Sequence, residues 1–281
     1  MTQPNYRKED VLIEALPYIQ QFEHTTFVIK YGGAVMKEEP LKQMVAQDVT
    51  LLRKIGIDVV VVHGGGKEIT TLADKLNIES RFVNGQRYTD EEMRDVVQMV
   101  LAGSINKDIV RRINIHGGRA VGVSGIDANL IEAKKLNENL GLVGEVTNVN
   151  SAFIKNLLRD DYLPVVAPIG VDEMGTVYNV NADIAAGPIA ASLNAAKLVY
   201  LTDIEGVKTE DKLISHLTQS SVQNMISSGT ISGGMIPKVE SALSALNAGV
   251  QKVHIIDGRI PHALLLEIFT KEGIGTEIVQ E

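Results

Sequence analysis

There is no cysteine among the 281 residues of this chain. That excludes a disulfide framework, a thiolate zinc site and a cysteine nucleophile. The six histidines, at 24, 63, 116, 216, 254 and 262, show no HExxH-type spacing. No apolar run reaches the length of a membrane span, and the N-terminus lacks the layout of a secretion signal. Basic residues are in deficit: 27 Lys and Arg against 35 Asp and Glu leave a net charge of −8. Nucleic acid is therefore disfavoured as the main partner, because phosphate backbones are held by a Lys/Arg surplus. A local basic pocket for a small anion stays open. Internal repeats, low-complexity tracts and Pro/Ser-rich linkers are also missing. The remaining composition, 44% hydrophobic and 22% charged, is that of an ordinary soluble globular protein, and a cytoplasmic location is expected.

What is present is an alternation of strands and helices. Val-rich stretches without polar alternation recur between helical periods, the pattern of a sheet covered on both faces. The strand candidates are "FVIKYGG", "DVVVVHGGG", "RAVGVSG", "NLIEAKK", "LVGEVTNVN", "YLPVVAPIG", "AKLVYLTDIEG", "VQKVHIIDG" and "GTEIV". Helical spacing marks "EEPLKQMVAQDVTLLRKIG", "KEITTLADKLN", two stretches across 90–115, "SAFIKNLLRDD", "NADIAAGPIAASLN", "SSVQNMISSG", "SGGMIPKVESALSALNAG" and "HALLLEIF". Within residues 1–24, ahead of the first strand, Val11, Leu12, Ala15, Leu16, Ile19 and Phe22 share one helical face. Pro17 is expected to kink that helix. A boundary between an N-terminal lobe, 25–177, and a C-terminal lobe, 178–281, is expected but only weakly marked.

The unusual residues fall where strands end, and ligands of open α/β sheets gather beyond strand carboxyl ends. Lys30 closes a buried strand, a costly place for a charge unless an anion meets it. Gly32 and Gly33 follow, free to bring backbone close to a ligand. His63 closes a second strand and delivers Gly64, Gly65 and Gly66 to a helix start, where N–H groups point at an anion. On its own that stretch reads equally well as a plain glycine turn, and it is neither a Walker A loop nor a GxGxxG fingerprint. Gly233 and Gly234 precede Lys238, which alone reads as a solvated lysine. Asn179, Asn181 and Asp183 lead into a small-residue helix, where Asp183 also reads as an N-cap or first-turn acid. Extended backbone there would put Asn179 and Asn181 on one side. Arg87 follows a glycine turn; a lone Arg is usually solvated, but its fork suits a carboxylate. Together these residues are an inventory for holding a polyphosphate and a small acid.

Their order and spelling resemble the amino acid kinase family: Lys30 with Gly32–Gly33, His63-Gly64-Gly65-Gly66, "NGQRYTD", "YNVNAD", "YLTDIEGV" and "GGMIPK". The resemblance runs from about residue 9 to the C-terminus. It implies an α/β fold, an open three-layer α/β/α sandwich with a mainly parallel central sheet. It also implies an N-terminal lobe for the amino-acid substrate and dimerisation, and a C-terminal lobe for ATP. It is narrowest with members that phosphorylate the side-chain carboxylate of N-acetyl-L-glutamate in arginine biosynthesis. On that resemblance Lys30 and Lys238 stabilise the transferring phosphoryl group and the leaving ADP, and Asp183 orients both. Gly64, Gly65, Arg87, Asn179 and Asn181 would hold the acetylated amino acid. Gly32, Gly33, Gly233 and Gly234 would meet phosphates, and Asp203 and Gly206 would line the adenine pocket. Mg²⁺ is expected to be bound mainly by phosphates and water, with no protein cage. The chain departs from the family at Lys67, where Pro is common, at Gln86 and Tyr88 around Arg87, and at "SGIDAN".

A carboxylate acceptor with a pKa of about 4.3 is already ionised at neutral pH. No general base is then required, which agrees with the lack of a Ser-His-Asp set. The helix before the first strand resembles the arm of arginine-inhibited members, which interlaces dimers into a hexamer, a trimer of dimers. Tyr18, Glu267, Gly273 and Gly275 are the arginine contacts this implies. "HIIDGRIPHALLLEIF" is compatible with a PII-type signalling partner. The rival readings within the family are kinases of glutamate, aspartate, carbamate or uridylate; a chain ending at Glu281 has no room for the tail expected of an aspartate kinase. Outside it, a catalytically silent metabolite sensor is disfavoured by the joint retention of Lys30, Lys238 and Asp183.

Overall fold

Phe27, Val28 and Ile29 are fully buried in β1 (Thr26–Tyr31), at the centre of a sheet of eight strands. The structure, a computed structural model, describes residues 8–36, 38–210, 212–270 and 273–281. On one side of β1 lie β2 (Asp58–His63), β8 (Leu163–Ala167) and β5 (Ala120–Ser124); the hairpin β3 (Phe82–Val83) and β4 (Gln86–Arg87) stands apart. On the other side come β11 (Lys197–Thr202), β15 (Lys252–Asp257), β16 (Thr276–Val279) and β14 (His216–Thr218). All neighbours pair in parallel except β15 with β16. The earlier half of the chain thus fills one side of β1 and the later half the other. A crevice at the carboxyl end of β1, where the strand order reverses, is the place such a sheet offers to ligands.

Alternate residues of each strand serve opposite faces, which is why the strands are apolar throughout. Phe27, Ile29, Val59, Val61 and Val199 pack with Val45, Val49 and Leu52 of α2 (Glu39–Lys54) and with Ile109 and Ile113 of α5 (Asn106–Ile115). Val28, Val60, Val62, Leu198 and Val253 pack with Ala185 and Ile189 of α7 (Ala182–Ser192) and with Val239 and Leu246 of α9 (Ile236–Asn247). Each fully buried side chain of this kind contributes about 1.5–3 kcal/mol by leaving water. Further helices of the layers include α3 (Gly66–Lys75), α6 (Ser151–Arg159) and α8 (Gln219–Ser227).

Several expectations need correction. "YLPVVAPIG" is two strands, because Pro168 lacks the N–H that would carry the ladder onward. The second piece, β9 (Ile169–Val171), joins β6 (Ile131–Lys135), β7 (Gly144–Val149) and β10 (Val177–Asn179) in a separate four-stranded sheet. The polar stretch before α8 contains the hairpin β12 (Lys208–Thr209) and β13 (Lys212–Leu213), and then β14. The two helical stretches of 90–115 form one rod: α4 (Glu91–Gln98) passes through a π-helical segment, Met99–Ile105, directly into α5. The N-terminal helix is α1 (Lys8–Phe22), with Pro17 inside it as expected. Its described apolar side chains are shared out unevenly. Phe22 stacks edge-on to Phe27 at 5.2 Å and Tyr18 to Phe269 of α10 (Ala263–Phe269) at 6.4 Å, while Ile13 and Leu16 stay exposed.

Candidate active site

Lys30 is the penultimate residue of β1, with its side chain buried, 9% exposed, and its Nζ 2.8 Å from Asp183 Oδ1. Asp183 lies in the first turn of α7, whose N-cap is Asn181: the Asn181 side chain accepts from the Asp183 N–H at 2.8 Å. Asn181 is thus the cap, and Asp183 is released from that duty. Its buried Oδ1 makes the ion contact with Lys30 but no hydrogen bond among the described residues, so it retains accepting capacity for a second cation. The ammonium of Lys30 rests on Gly32. A Cβ on that glycine would lie 2.9 Å from Nζ and 3.2 Å from Cε, so a side chain there would have to displace the ammonium. Gly33 takes φ +69°, a backbone region that favours glycine.

The turn after β2 lies alongside. Gly64 N–H donates to the Tyr31 carbonyl at 2.8 Å, which ties the two glycine turns together. Gly65 is packed under the π-helical segment, where any Cβ would collide with Ile105 and Leu101. Lys30, Gly32, Gly33, Gly64, Gly65, Arg87, Asn179 and Asn181 all line one cleft of about 260 Å³ at the carboxyl ends of β1 and β2.

Arg87 is the second charge in that cleft. It is buried, and its guanidinium donates to Ser80 Oγ (2.9 Å), Gly66 O (2.7 Å) and Thr70 Oγ1 (2.7 Å) while lying 4.8 Å from the Phe82 ring centre. It forms no ion pair with a carboxylate among the described residues. Burial lowers its pKa, with the Asp74 charge opposing; a buried guanidinium held only by neutral acceptors favours an incoming carboxylate. Asn179 donates to Thr89 Oγ1 at 3.1 Å. Thr89, fully buried, was not read as a site residue from the sequence; its polarity inside an apolar neighbourhood shows only once the fold is known.

Lys238 sits half-buried in the first turn of α9, just after the turn Gly233–Met235. It makes no ion pair with Asp183. Its helix is nevertheless docked on the start of α7. Ser241, one turn on from Lys238, donates to the Asp183 carbonyl at 2.8 Å, and Tyr200 of β11 reaches the same oxygen at 3.2 Å. Gly187 of α7 faces Ala245 of α9 closely enough for a Cβ to meet Ala245 Cβ at 3.4 Å. Ser241 and Tyr200 were likewise missed, since a Ser in a helix and a Tyr in a strand carry no distinctive spacing. A further cleft of about 370 Å³ opens beside these elements, lined by Asp203, Gly206, Ser232, Met235 and Arg259 among others. Gly206, at φ +139°, has no room for a side chain against Thr276 and Leu213. Gly233 and Gly234 form the exposed turn before Lys238 and face open space.

Three of the residues expected around arginine meet away from this cleft. Glu267 Oε1 lies 2.6 Å from His254 Nδ1, and its Oε2 accepts from the N–H groups of Ile274 (2.7 Å) and Gly275 (3.1 Å). Gly273, at φ +61°, could not carry a Cβ without meeting Glu267 Oε2 at 2.8 Å. Tyr18 lies on Phe269, two residues further along α10. Two polar residues not foreseen complete the group. His254 is buried, and Lys197 Nζ donates to its Nε2 at 2.9 Å. Burial brings the Lys197 pKa down to about 8. Burial pushes Glu267 upward, but the His254 contact and the two N–H bonds outweigh it and hold the carboxyl below its usual range.

A buried lysine on a glycine turn, a second glycine turn beside it and an unpaired guanidinium in the same cleft describe a site for phosphate next to a small carboxylate. A sequence profile of the amino acid kinase family matches residues 25–257, and the chain belongs to that family. Relatives named acetylglutamate kinase match over nearly the whole chain. The one from Pelodictyon phaeoclathratiforme is 55% identical over 96% of this chain and 90% of its own length. The one from Petrotoga mobilis is 52% identical over 98% of this chain and 94% of its own. Among solved structures, N-acetylglutamate synthase from Neisseria gonorrhoeae, complexed with coenzyme A and N-acetyl-glutamate, superposes with a TM-score of 0.88 at 27% identity; 98% of this chain covers 64% of that one. Carbamate kinase from Giardia lamblia bound to AMP-PNP superposes with a TM-score of 0.67 at 17% identity, over 92% and 99% of the two chains, and shares the fold.

Proposed function

We propose that this chain transfers the γ-phosphoryl group of ATP to the side-chain carboxylate of N-acetyl-L-glutamate, forming an acyl phosphate for arginine biosynthesis. The observation that carries the reading is the buried Lys30 ammonium, held by Asp183 over Gly32, in the same cleft as the carboxylate-free Arg87 fork. Relatives above 50% identity that bear the acetylglutamate kinase name support the choice of acceptor. The carboxylate acceptor is ionised already, so the residues have no proton to remove; their work is to align two anions and offset their repulsion. Lys30 meets the transferring phosphoryl oxygens, and the N–H groups of the two glycine turns meet the same charge. Lys238 serves the leaving ADP side. Asp183 holds Lys30 in place and has an oxygen to spare for Lys238 as that helix closes on the nucleotide. Arg87 clamps the free carboxylate of the acceptor, with Asn179 and Asn181 at the cleft wall.

The residues fit a nucleotide: the N–H groups and lysines suit phosphates, and the cleft at Asp203, Gly206 and Met235 suits an adenine. On this reading the elements before residue 178, together with Asn179 and Asn181, hold the amino acid, and the later elements hold ATP. Mg²⁺ is assigned to the phosphates, whose charge it would offset, because this ion keeps much of its water and is usually held through phosphates and one or two carboxylates.

The same reading includes cytoplasmic arginine feedback. The Glu267–His254–Lys197 group beneath α1 pairs a buried carboxylate with two glycine turns, a fit for a guanidinium and an α-amino acid backbone. Residues 1–24 serve as the arm that joins dimers into a hexamer. A PII-type partner would meet His254–Phe269 mainly at its exposed residues, Arg259, Pro261 and Leu266. Acceptor-dependent ADP release tests the catalytic reading. Removal of residues 1–24, followed by sedimentation and arginine titration, tests the regulatory one. A truncated chain that stays hexameric, or keeps its full arginine response, would refute the role of the arm.

A further inference from the structure

His63 is fully buried behind the triple glycine, and none of the chemistry above uses it. Its ring carries two defined contacts. Nδ1 lies 2.9 Å from the Gly64 carbonyl oxygen, and Nε2 lies 3.2 Å from Asn106 Nδ2. A carbonyl only accepts, so Nδ1 bears the proton; an amide NH₂ only donates, so Nε2 is the bare acceptor. The orientation of Asn106 is set independently. Its Oδ1 receives the Lys107 ammonium at 3.0 Å, and its Nδ2 also donates to the Val165 carbonyl at 2.9 Å. Asn106 is itself fully buried and begins α5 directly after the π-helical segment. Such segments recur at functional sites. Burial brings the His63 pKa down to about 4, and the Lys107 charge adds to the effect while the Gly64 bond opposes it. The ring therefore stays neutral at physiological pH, in one tautomer.

In a trans peptide the carbonyl and the following N–H point in opposite directions. With the Gly64 carbonyl held toward the buried His63, the Gly65 N–H faces the other way, to the cleft that Gly65 lines. The Gly64 N–H is already committed to Tyr31, whereas the Gly65 N–H has no acceptor among the described residues. A Gly–Gly peptide without such a hold has low barriers to reorientation, because neither residue has a Cβ. We propose that His63, braced by Asn106, is a positioning residue that locks the Gly64–Gly65 peptide with the Gly65 N–H aimed at the transferring phosphoryl group. This rests on the phosphoryl-transfer reading of the cleft and adds the device that aims one of its donors.

The test separates the two ring nitrogens. In His63→Asn the amide nitrogen occupies the place of Nδ1 and keeps the bond to Gly64; in His63→Gln the amide oxygen reaches the place of Nε2, where it accepts from Asn106, and the Gly64 carbonyl is released. Loss of a transition-state donor costs about 100- to 1,000-fold, and a donor that is mis-aimed rather than removed should cost about 10- to 100-fold in kcat. The expected result is that loss in His63→Gln, with KM for ATP and for N-acetylglutamate within about 3-fold of wild type, and a kcat for His63→Asn within about 5-fold. Equal losses in the two variants, wild-type kcat in His63→Gln, or a change confined to KM would overturn it. Lys107→Met keeps the test open if His63→Gln does not fold, because Lys107 is exposed. It frees the Asn106 amide and should lower kcat several-fold with both KM values unchanged; an unaltered kcat would overturn the brace. Wild-type enzyme lacking acetylglutamate kinase activity would instead refute the functional reading itself.

Discussion

Gly32→Ala is a perturbation whose effect on folding and on turnover should separate widely. The new Cβ would stand 2.9 Å from Lys30 Nζ and 3.2 Å from Cε, inside the roughly 3.5 Å at which such atoms make ordinary contact. The obstructing atoms are the far end of a flexible side chain, so the lysine yields and the backbone stays. The stability cost should therefore be small, about 1 kcal/mol or less, within the range of an ordinary substitution. The displaced ammonium, however, moves by a large part of an ångström from its 2.8 Å contact with Asp183. A misplacement of about 1 Å in a catalytic group can cost about 100-fold, and kcat should fall by about 10- to 100-fold. Lys30→Met, which removes the charge altogether, should cost about 100- to 1,000-fold. The double variant should be no worse than Lys30→Met alone, because both changes act through one ammonium. Coupled ADP release gives the rates, and urea unfolding monitored by circular dichroism gives the stabilities. A Gly32→Ala enzyme with kcat within about 3-fold of wild type, or losses that multiply in the double variant, would refute the reasoning.

Lys238→Ala should lower kcat by about 100- to 1,000-fold with folding intact, since the residue is half-buried at a helix start and in no ion pair among the described residues; near wild-type turnover would remove it from the site. Arg87→Lys should raise KM for N-acetylglutamate and leave KM for ATP nearly unchanged, because a point charge cannot reproduce the fork; a collapse confined to ATP would move Arg87 to the nucleotide side. His63 gives a pH prediction. Its folded pKa, about 4, lies below the unfolded value of 6.5, so unfolding takes up a proton between those values. The stability from keeping the ring neutral is fully present above about pH 6.5 and is lost as pH falls toward 4, by about 3 kcal/mol in total. Urea titrations of wild type and His63→Asn between pH 4.5 and 7.5 should converge toward the acid end; parallel curves would contradict the assignment.

The alternation of buried strands and helices, and the gathering of glycines and charges at strand ends, were legible because both are local. Lys30 could be questioned from sequence alone, since a lysine closing "FVI" needs a reason to be buried. Pairing across the chain was not legible. Pro168 marks the break in "YLPVVAPIG", but nothing near it says that the second piece joins another sheet, and nothing in "SALSAL" says that Ser241 reaches the Asp183 carbonyl. The cap at Asn181 was within reach of sequence reasoning but ambiguous, because Asn181 and Asp183 both suit a helix start. The Lys197–His254–Glu267 group was half visible: Glu267 and the glycines stood out, while Lys197 and His254 read as ordinary strand residues whose neighbours only the register of β11 and β15 brings together.

The most direct test of the central claim is acyl phosphate formation by the purified full chain with ATP, Mg²⁺ and a panel of acceptors, trapped as hydroxamate and matched against ADP released. The expected result is stoichiometric hydroxamate and ADP with N-acetyl-L-glutamate, and little or none with L-glutamate, L-aspartate or carbamate. Equal turnover of free glutamate, or no acceptor-dependent ADP from a folded protein that binds ATP, would contradict it.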